Sequence, residues 1–350
     1  MRPGHTGRVP NLFGTDVPIV GAPMAGGAST TALVGAVAAA GGLGFFPGGY
    51  LAPEDLRRDL AELRAAEVPF GVNLFVPDRA STPPDFAAAY RAYREELLPE
   101  AEELGVELPS EPVVDDDHWA EKVELLTAEP AAYVSFTFGL PSAQEVARLK
   151  RAGSLLLGTV TTVEEAYAAR ELGLDALIAQ GSAAGGHSGT FDPGRKITPV
   201  ETAELTRAVI AATGLPTVAA GGVEGSTSVS QLLHSGATAV AVGTLLLRTE
   251  ESGASAAHRD ALASPRFTTT AITRSFTGRP ARGLLNDFIR RHEATAPLGY
   301  PALHHLTRPL RAAAARAGDA DRLHLWAGTG FRSARTGLAA DVVADLAVLG

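Results

Sequence analysis

The sequence predicts an α/β fold: a (β/α)8 TIM barrel with a helical excursion and a smaller C-terminal helical substrate or lid segment. Eight short apolar runs alternate with alanine-rich helical stretches, the pattern of repeated βα units around a parallel sheet. The runs are hydrophobic throughout instead of alternating, as strands covered on both faces must be. A chain of 350 residues also accommodates one barrel of roughly 250 residues plus an extra segment.

The predicted strands, in order, are Pro18 to Ala22, Leu43 to Phe46, Phe70 to Phe75, Tyr133 to Phe138, Leu155 to Val160, Ala176 to Ala179, Thr217 to Ala220 and Ala239 to Val242. Helical patterns fall between them at Thr30 to Ala40, Pro53 to Ala65, Ser142 to Arg151, Thr162 to Leu172, Pro199 to Thr213 and Ser226 to Ser235. Several open on Ser or Thr, which cap free N–H groups, and Thr162 with Glu165 has the spacing of a capping box. Gly41 and Gly42 read as a helix stop. The rhythm breaks twice. Residues 78–130 are too long for one crossover and carry DFAAAYRAYREELLPEAEELG and then DDDHW, a helical excursion with a solvated charged face. After Leu247 short amphipathic pieces and prolines replace the βα pattern, so residues 1–247 read as the barrel and 248–350 as a mainly helical segment over its mouth, the last helix packing back on the barrel.

Composition narrows the chemistry. The formal charge of -9 opposes nucleic-acid binding, which needs clustered Lys and Arg to neutralise phosphates. Zero cysteines removes disulfides, thiolate metal sites and cysteine nucleophiles, leaving other side chains or an organic cofactor, and no metal site is expected. The N-terminus lacks a signal-like apolar core and no apolar run reaches the ~20 residues of a membrane span, so a cytoplasmic protein without membrane contact is expected.

Barrel chemistry gathers where strands end. Ala22, Pro23, Met24 and Ala25 follow the first strand, Asn73 lies in the third, and Gln180 opens the glycine-rich loop GSAAGGHSG, with Gly185, Gly186 and His187, after the sixth. Glycines allow close backbone approach to a flat ligand or a phosphate, and a histidine beyond them can exchange protons near neutral pH. Gly221 and Gly222 after the seventh strand, with Gly243 and Thr244 after the eighth, have the placement of a barrel phosphate cradle. The adjacent His304 and His305 lack metal-ligand spacing and read as structural or exposed. FTGRPARGL, with Arg279 and Arg282 and with Arg274 just before it, reads as either a substrate-anion site or a turn with solvated charges, the turn being preferred.

In PIVGAPMAGG, GGLGFF, PFGVNLF, VSFTFGLP, AQGSAAGGHSG, VAAGGV, AVAVGT, FTGRPARGL and LWAGTG the chain resembles the FMN-dependent nitronate monooxygenases, formerly 2-nitropropane dioxygenases, and the related flavin enoyl-acyl-carrier-protein reductases. The resemblance implies non-covalent FMN at the strand ends. It implies the backbone around Met24 and Ala25 against the flavin, Asn73 and Gln180 bonded to its ring or ribityl chain, close approach at Gly185, and the phosphate on Gly221, Gly222, Gly243 and Thr244. His187 would be the base. Oxygen would convert a nitronate or nitroalkane to a carbonyl compound and nitrite, the flavin supplying redox chemistry that side chains cannot. The chain departs from the family pattern at Ala183, Ser188 and Thr329, where glutamate, arginine and glutamine are usual, and these departures bear on substrate choice. An NAD(P)H-dependent enoyl reductase or biosynthetic tailoring oxidoreductase, an inactive FMN-binding scaffold, and a homodimeric state stay open.

Overall fold

The computed structural model describes residues 12–78 and 85–348. The signal-sequence reading of the first eleven residues, and the part of the excursion at 79–84, lie outside the described residues.

Strands β1 (Ile19–Gly21), β2 (Leu43–Pro47), β3 (Phe70–Phe75), β4 (Tyr133–Thr137), β5 (Leu155–Val160) and β6 (Ala176–Gln180) form the first part of the barrel wall, followed by a two-residue strand outside it, β7 (Gly186–His187). With β8 (Thr217–Ala220) and β9 (Ala239–Val242) the wall closes in the order β1-β2-β3-β4-β5-β6-β8-β9. The closing pair is parallel, Ile19 opposite Val240 and Gly21 opposite Val242. Each predicted strand is present, with ends shifted by at most a residue. The wholly apolar pattern has the anticipated cause: Phe45, Leu157, Ile178 and Val218 fill the barrel interior, while Val72, Val134, Leu156 and Leu177 face the helices. Phe13 closes the lower end against Tyr133, their rings 5.0 Å apart, and the Tyr133 hydroxyl donates to Phe13 O.

The outer helices α1 (Thr31–Ala39) and α2 (Pro53–Ala65) follow the first two strands, and two helices, α3 (Phe86–Leu104) and α4 (Trp119–Ala128), occupy the excursion. These two do different things. α4 is an ordinary crossover helix, since Trp119, Val123 and Leu126 join the wall cluster of Val134 and Val146. α3 instead buries Tyr90, Tyr93 and Leu97 with Leu303, Leu306 and Leu310, far along the chain. The DDDHW run is less solvated than its composition suggests, because Asp117 pairs at 2.8 Å with Lys122, a side chain only 1% exposed.

α5 (Ala143–Arg151) begins with a complete capping box between Ser142 and Glu145. At α6 (Val163–Glu171) only half of the expected box forms. Thr162 caps the Glu165 N–H, but the Glu165 carboxylate turns inward to Thr161, the Thr190 hydroxyl and the Phe191 N–H. α7 (Thr202–Thr213) and α8 (Ser226–His234) complete the barrel layer. Beyond it lie α9 (Ala256–Ala263), β10 (Thr270–Thr273), β11 (Ala281–Leu284), α10 (Asp287–His292), α11 (Ala302–Ala317) and α12 (Ala339–Leu346). The two strands depart from the helical expectation for this segment: β11 is the centre of a small antiparallel sheet between β10 and β7. Val342, Val343 and Leu346 of α12 pack with Val37 of α1 and Val229 of α8. No helix among the described residues is long and apolar enough to cross a membrane.

An ion network ties α3 to this segment. Buried Glu100 accepts from His292 Nε2 at 2.7 Å, from Arg291 at 2.9 Å and from Arg322 at 3.1 Å, and His292 Nδ1 meets Glu96. Burial alone would raise the Glu100 pKa, yet His292 and Arg291 outweigh it and hold the carboxyl down to about 2. Burial likewise opposes protonation of His292, but its bonds to Glu100 and Glu96 leave its pKa raised. A raised histidine stabilises the fold fully below its ordinary value and ceases to do so as pH rises through the folded one; a depressed carboxyl loses its contribution as pH falls towards 2. His292→Asn is expected to destabilise the protein by about 1–3 kcal/mol at pH 6. Urea midpoints measured against pH should show this difference narrowing on the alkaline side; a constant difference to pH 9 would mean that the pair contributes no charge-dependent stability.

Candidate functional site

The strand ends surround a cavity of about 1040 Å³, lined by every residue that the sequence marked for the cofactor or for catalysis: Ala22 to Ala25, Asn73, Gln180, Gly185, Gly186, His187, Gly221, Gly222, Gly243 and Thr244.

One side is backbone. After β8, Gly221 has φ +111°, and a Cβ there would stand 2.7 Å from Ala184 N, so both handedness and space exclude a side chain. Gly222 also has positive φ. The β1 loop is held shut by Ser29, whose hydroxyl accepts from Met24 N–H at 3.0 Å and donates to Ala22 O. The tail completes this side. Gly328 N–H donates to the Thr244 hydroxyl at 2.9 Å, and Thr329 N–H donates to Ala183 O at 3.1 Å. A Cβ on Gly185 would lie 2.5 Å from Gly328 N, so packing against the tail already requires this glycine. Two of the departures, Ala183 and Thr329, therefore touch each other.

The two amides hold different posts. Asn73, 2% exposed, donates through Nδ2 to Ser135 Oγ and Thr137 Oγ1, both at 2.9 Å, which leaves its carbonyl oxygen as an acceptor at the cavity wall. Gln180 donates to His187 O at 3.0 Å and accepts from Gly189 N–H at 2.7 Å. It therefore clamps the loop that carries the histidine, with one amide N–H remaining.

The opposite side is aromatic and cationic. β7 pairs with β11, His187 opposite Ala281, and the His187 ring is surrounded by Phe138, Tyr300 and Trp326 with centroids 5.6, 5.8 and 5.5 Å away. Its Nε2 lies 2.9 Å from the Thr277 hydroxyl. Phe138 adopts φ +80°, a conformation costly for a bulky side chain, at the turn where its ring joins this cluster. Burial, then the guanidinium charges of Arg279 and Arg311, push the His187 pKa down to about 3, so the imidazole is neutral across the physiological range.

Arg279 overturns the expectation of a solvated turn. It is 2% exposed, lies 4.1 Å over the Phe138 ring and donates to Thr190 O. The Arg279 charge is buried because the pairing of β11 with β7 draws that turn beneath the His187 loop. His304 and His305 are both half-buried at the cavity and make structural contacts, His304 stacking on Tyr50 at 4.3 Å and His305 meeting Asp115 at 2.7 Å. Arg311 of α11 donates to His304 O and to the Thr307 hydroxyl and has no carboxylate partner among the described residues. Burial lowers its pKa only to about 10, so it remains a cation. Around it His304 and His324 are held neutral, by burial first and by Arg311 second.

The sequence reading missed Tyr50, Phe138, Tyr300, Trp326 and Arg311. Only LWAGTG gave a signal for the tail side; the aromatic residues come from different loops and share no spacing.

The His187 ring should show no titration between pH 5 and 9 in NMR spectra of the purified protein. Arg311→Met should move its protonation upward by removing a depressing charge; an ordinary titration near pH 6.5 in the unsubstituted protein would contradict the electrostatic account.

The sequence profile of the family described as "Nitronate monooxygenase" matches residues 11–348. A probable nitronate monooxygenase of Staphylococcus aureus (strain Newman) is 34% identical over 344 residues, covering 97% of this chain and 96% of the relative. That of Staphylococcus saprophyticus is 36% identical over 327 residues, covering 92% and 91%. Among solved structures, the nitroalkane oxidase from Streptomyces ansochromogenes superposes with TM-score 0.89 at 43% identity, covering 95% of this chain and 96% of that one. FabK from Thermotoga maritima shares the fold with TM-score 0.73 at 24% identity, covering 97% and 94%.

Proposed function

Because the chain belongs to the nitronate monooxygenase family, we propose that it is a flavin-dependent oxidoreductase that uses FMN and dioxygen to convert alkyl nitronates to a carbonyl compound and nitrite. The observation that carries this reading is the neutral His187 set between buried cations and a backbone-lined recess at the strand ends.

The residues present suit a flavin mononucleotide. Gly221, Gly222, Gly243 and Thr244 would hold its phosphate, on a side where an added Cβ at Gly221 has no room. Asn73 would offer its free carbonyl oxygen and Gln180 its remaining N–H to the ring or ribityl chain, beside the backbone of Ala22 to Ala25. When bound, FMN supplies the electron transfer that no side chain here can perform.

Protein groups account for binding and proton handling. Arg279 and Arg311 make an anion welcome and an imidazolium unwelcome, so a nitronate, already ionised, is the better-matched substrate. With a neutral nitroalkane, His187 takes the carbon proton, and the cations that oppose its protonation stabilise the nitronate formed beside it. Phe138, Tyr300 and Trp326 keep bulk water from that proton. We further propose that residues 248–350, with α3, form the cover over the barrel mouth, and that the enzyme works in the cytoplasm.

His187→Asn, at matched flavin occupancy, should lower kcat/KM for nitroethane by roughly 10²- to 10⁴-fold and for ethylnitronate by much less. Equal losses would assign His187 to binding and not to proton abstraction. Gly222→Asp should weaken flavin retention, since it brings a carboxylate towards the phosphate recess; unchanged affinity would remove Gly222 from that role. Anaerobic stopped-flow decides the class: rapid flavin bleaching by ethylnitronate is expected, whereas rapid bleaching by NADPH alone would replace this reading with a nicotinamide-dependent reductase.

A further inference from the structure

The two ring nitrogens of His187 stand in different surroundings. Nε2 lies 2.9 Å from Thr277 Oγ1, while no described residue hydrogen-bonds Nδ1, and His187 lines the cavity. Thr277 is 1% exposed, and its hydroxyl also lies 3.3 Å from Arg279 O. A carbonyl oxygen can only accept, so the single hydroxyl proton is directed to Arg279 O. The oxygen is then an acceptor for Nε2, which must carry the ring proton. The opposite arrangement would deprive a buried carbonyl of this donor and place the proton on the nitrogen at the cavity, where it could take none.

Backbone geometry holds the partners together. The turn from Arg274 closes through Gly278 N–H to Arg274 O at 2.7 Å, Ser188 N–H donates to Pro280 O at 2.8 Å, and Ala281 pairs with His187. Thr277 thus reaches Nε2 from the turn that leads into the strand paired with the histidine.

We propose that Thr277 is a positioning residue that fixes His187 as the Nε2–H tautomer and leaves Nδ1 as the atom that accepts the carbon proton of a nitroalkane. This rests on His187 acting as the base. In the step, the C–H bond breaks, its electron pair moves into the nitro group to give the nitronate, and the proton forms an N–H bond at Nδ1. The resulting imidazolium keeps its Nε2–H on Thr277.

The test is ¹⁵N NMR of histidine-labelled holoenzyme, with the His187 signals identified by their loss in His187→Asn. At pH 7.5 Nε2 should resonate as a protonated, pyrrole-type nitrogen and Nδ1 as a bare, pyridine-type one. The reverse assignment overturns the proposal without recourse to any further variant. Thr277→Val should move both signals towards a tautomer average and lower kcat/KM for nitroethane roughly 10- to 100-fold, with ethylnitronate less affected, and Thr277→Ser should restore both. Coincident spectra for Thr277→Val and the unsubstituted enzyme would also overturn it. A shifted tautomer with undiminished nitroethane turnover would uphold the positioning by Thr277 and overturn Nδ1, and with it His187, as the base.

Discussion

A two-residue antiparallel pairing, Gly186 and His187 against Arg282 and Ala281, is the constraint on which the site depends. It joins a barrel loop to a segment about a hundred positions later in the chain. Without it His187 would be a histidine on a glycine-rich loop with wide freedom. With it the ring acquires a fixed neighbour in Thr277, a buried cation in Arg279 and walls from Tyr300 and Trp326. Gln180 and Glu165 support the same loop from the barrel side, one clamping His187 O and Gly189 N, the other Thr190 and Phe191.

The electrostatics follow from that join. Arg279 is carried under the loop by the turn before β11, and Arg311 comes from α11, so two cations sit in low-dielectric surroundings among neutral histidines. Charge of this kind is costly to bury unpaired and most useful beside a ligand of opposite sign. Both cations add to the field that keeps His187 uncharged, and on the proposed reading that field also favours a nitronate.

The position of α11 depends in turn on the helical excursion. α3 shares a core with it through Tyr90, Tyr93 and Leu97, and the Glu100 network adds a polar tie. An insertion after the third strand and the tail after the eighth thus share one hydrophobic core, and α12 returns to pack on α1 and α8. This segment and the barrel are joined at several points, so changes far from the cavity can reach His304 and Arg311.

The barrel, its eight strands and the backbone side of the cavity were legible in the sequence, because these rest on local signals. Strands buried on both faces must be apolar, helix starts need caps, and a backbone recess at a strand end needs glycine. The sequence also marked His187, since the loop around it is contiguous. Tertiary structure alone decided the opposite side. Nothing local distinguishes Arg279 in a polar turn from a solvated arginine; strand pairing buries it. Glu165 has the spacing of a capping box, yet the neighbouring loop offers its carboxylate better partners. His304 and His305 read alike as structural or exposed, but successive residues of α11 point about 100° apart, so one ring reaches Tyr50 and the other Asp115. Residues that meet only across long separations in the chain carry no periodicity to read, and the aromatic and cationic wall is made of such residues.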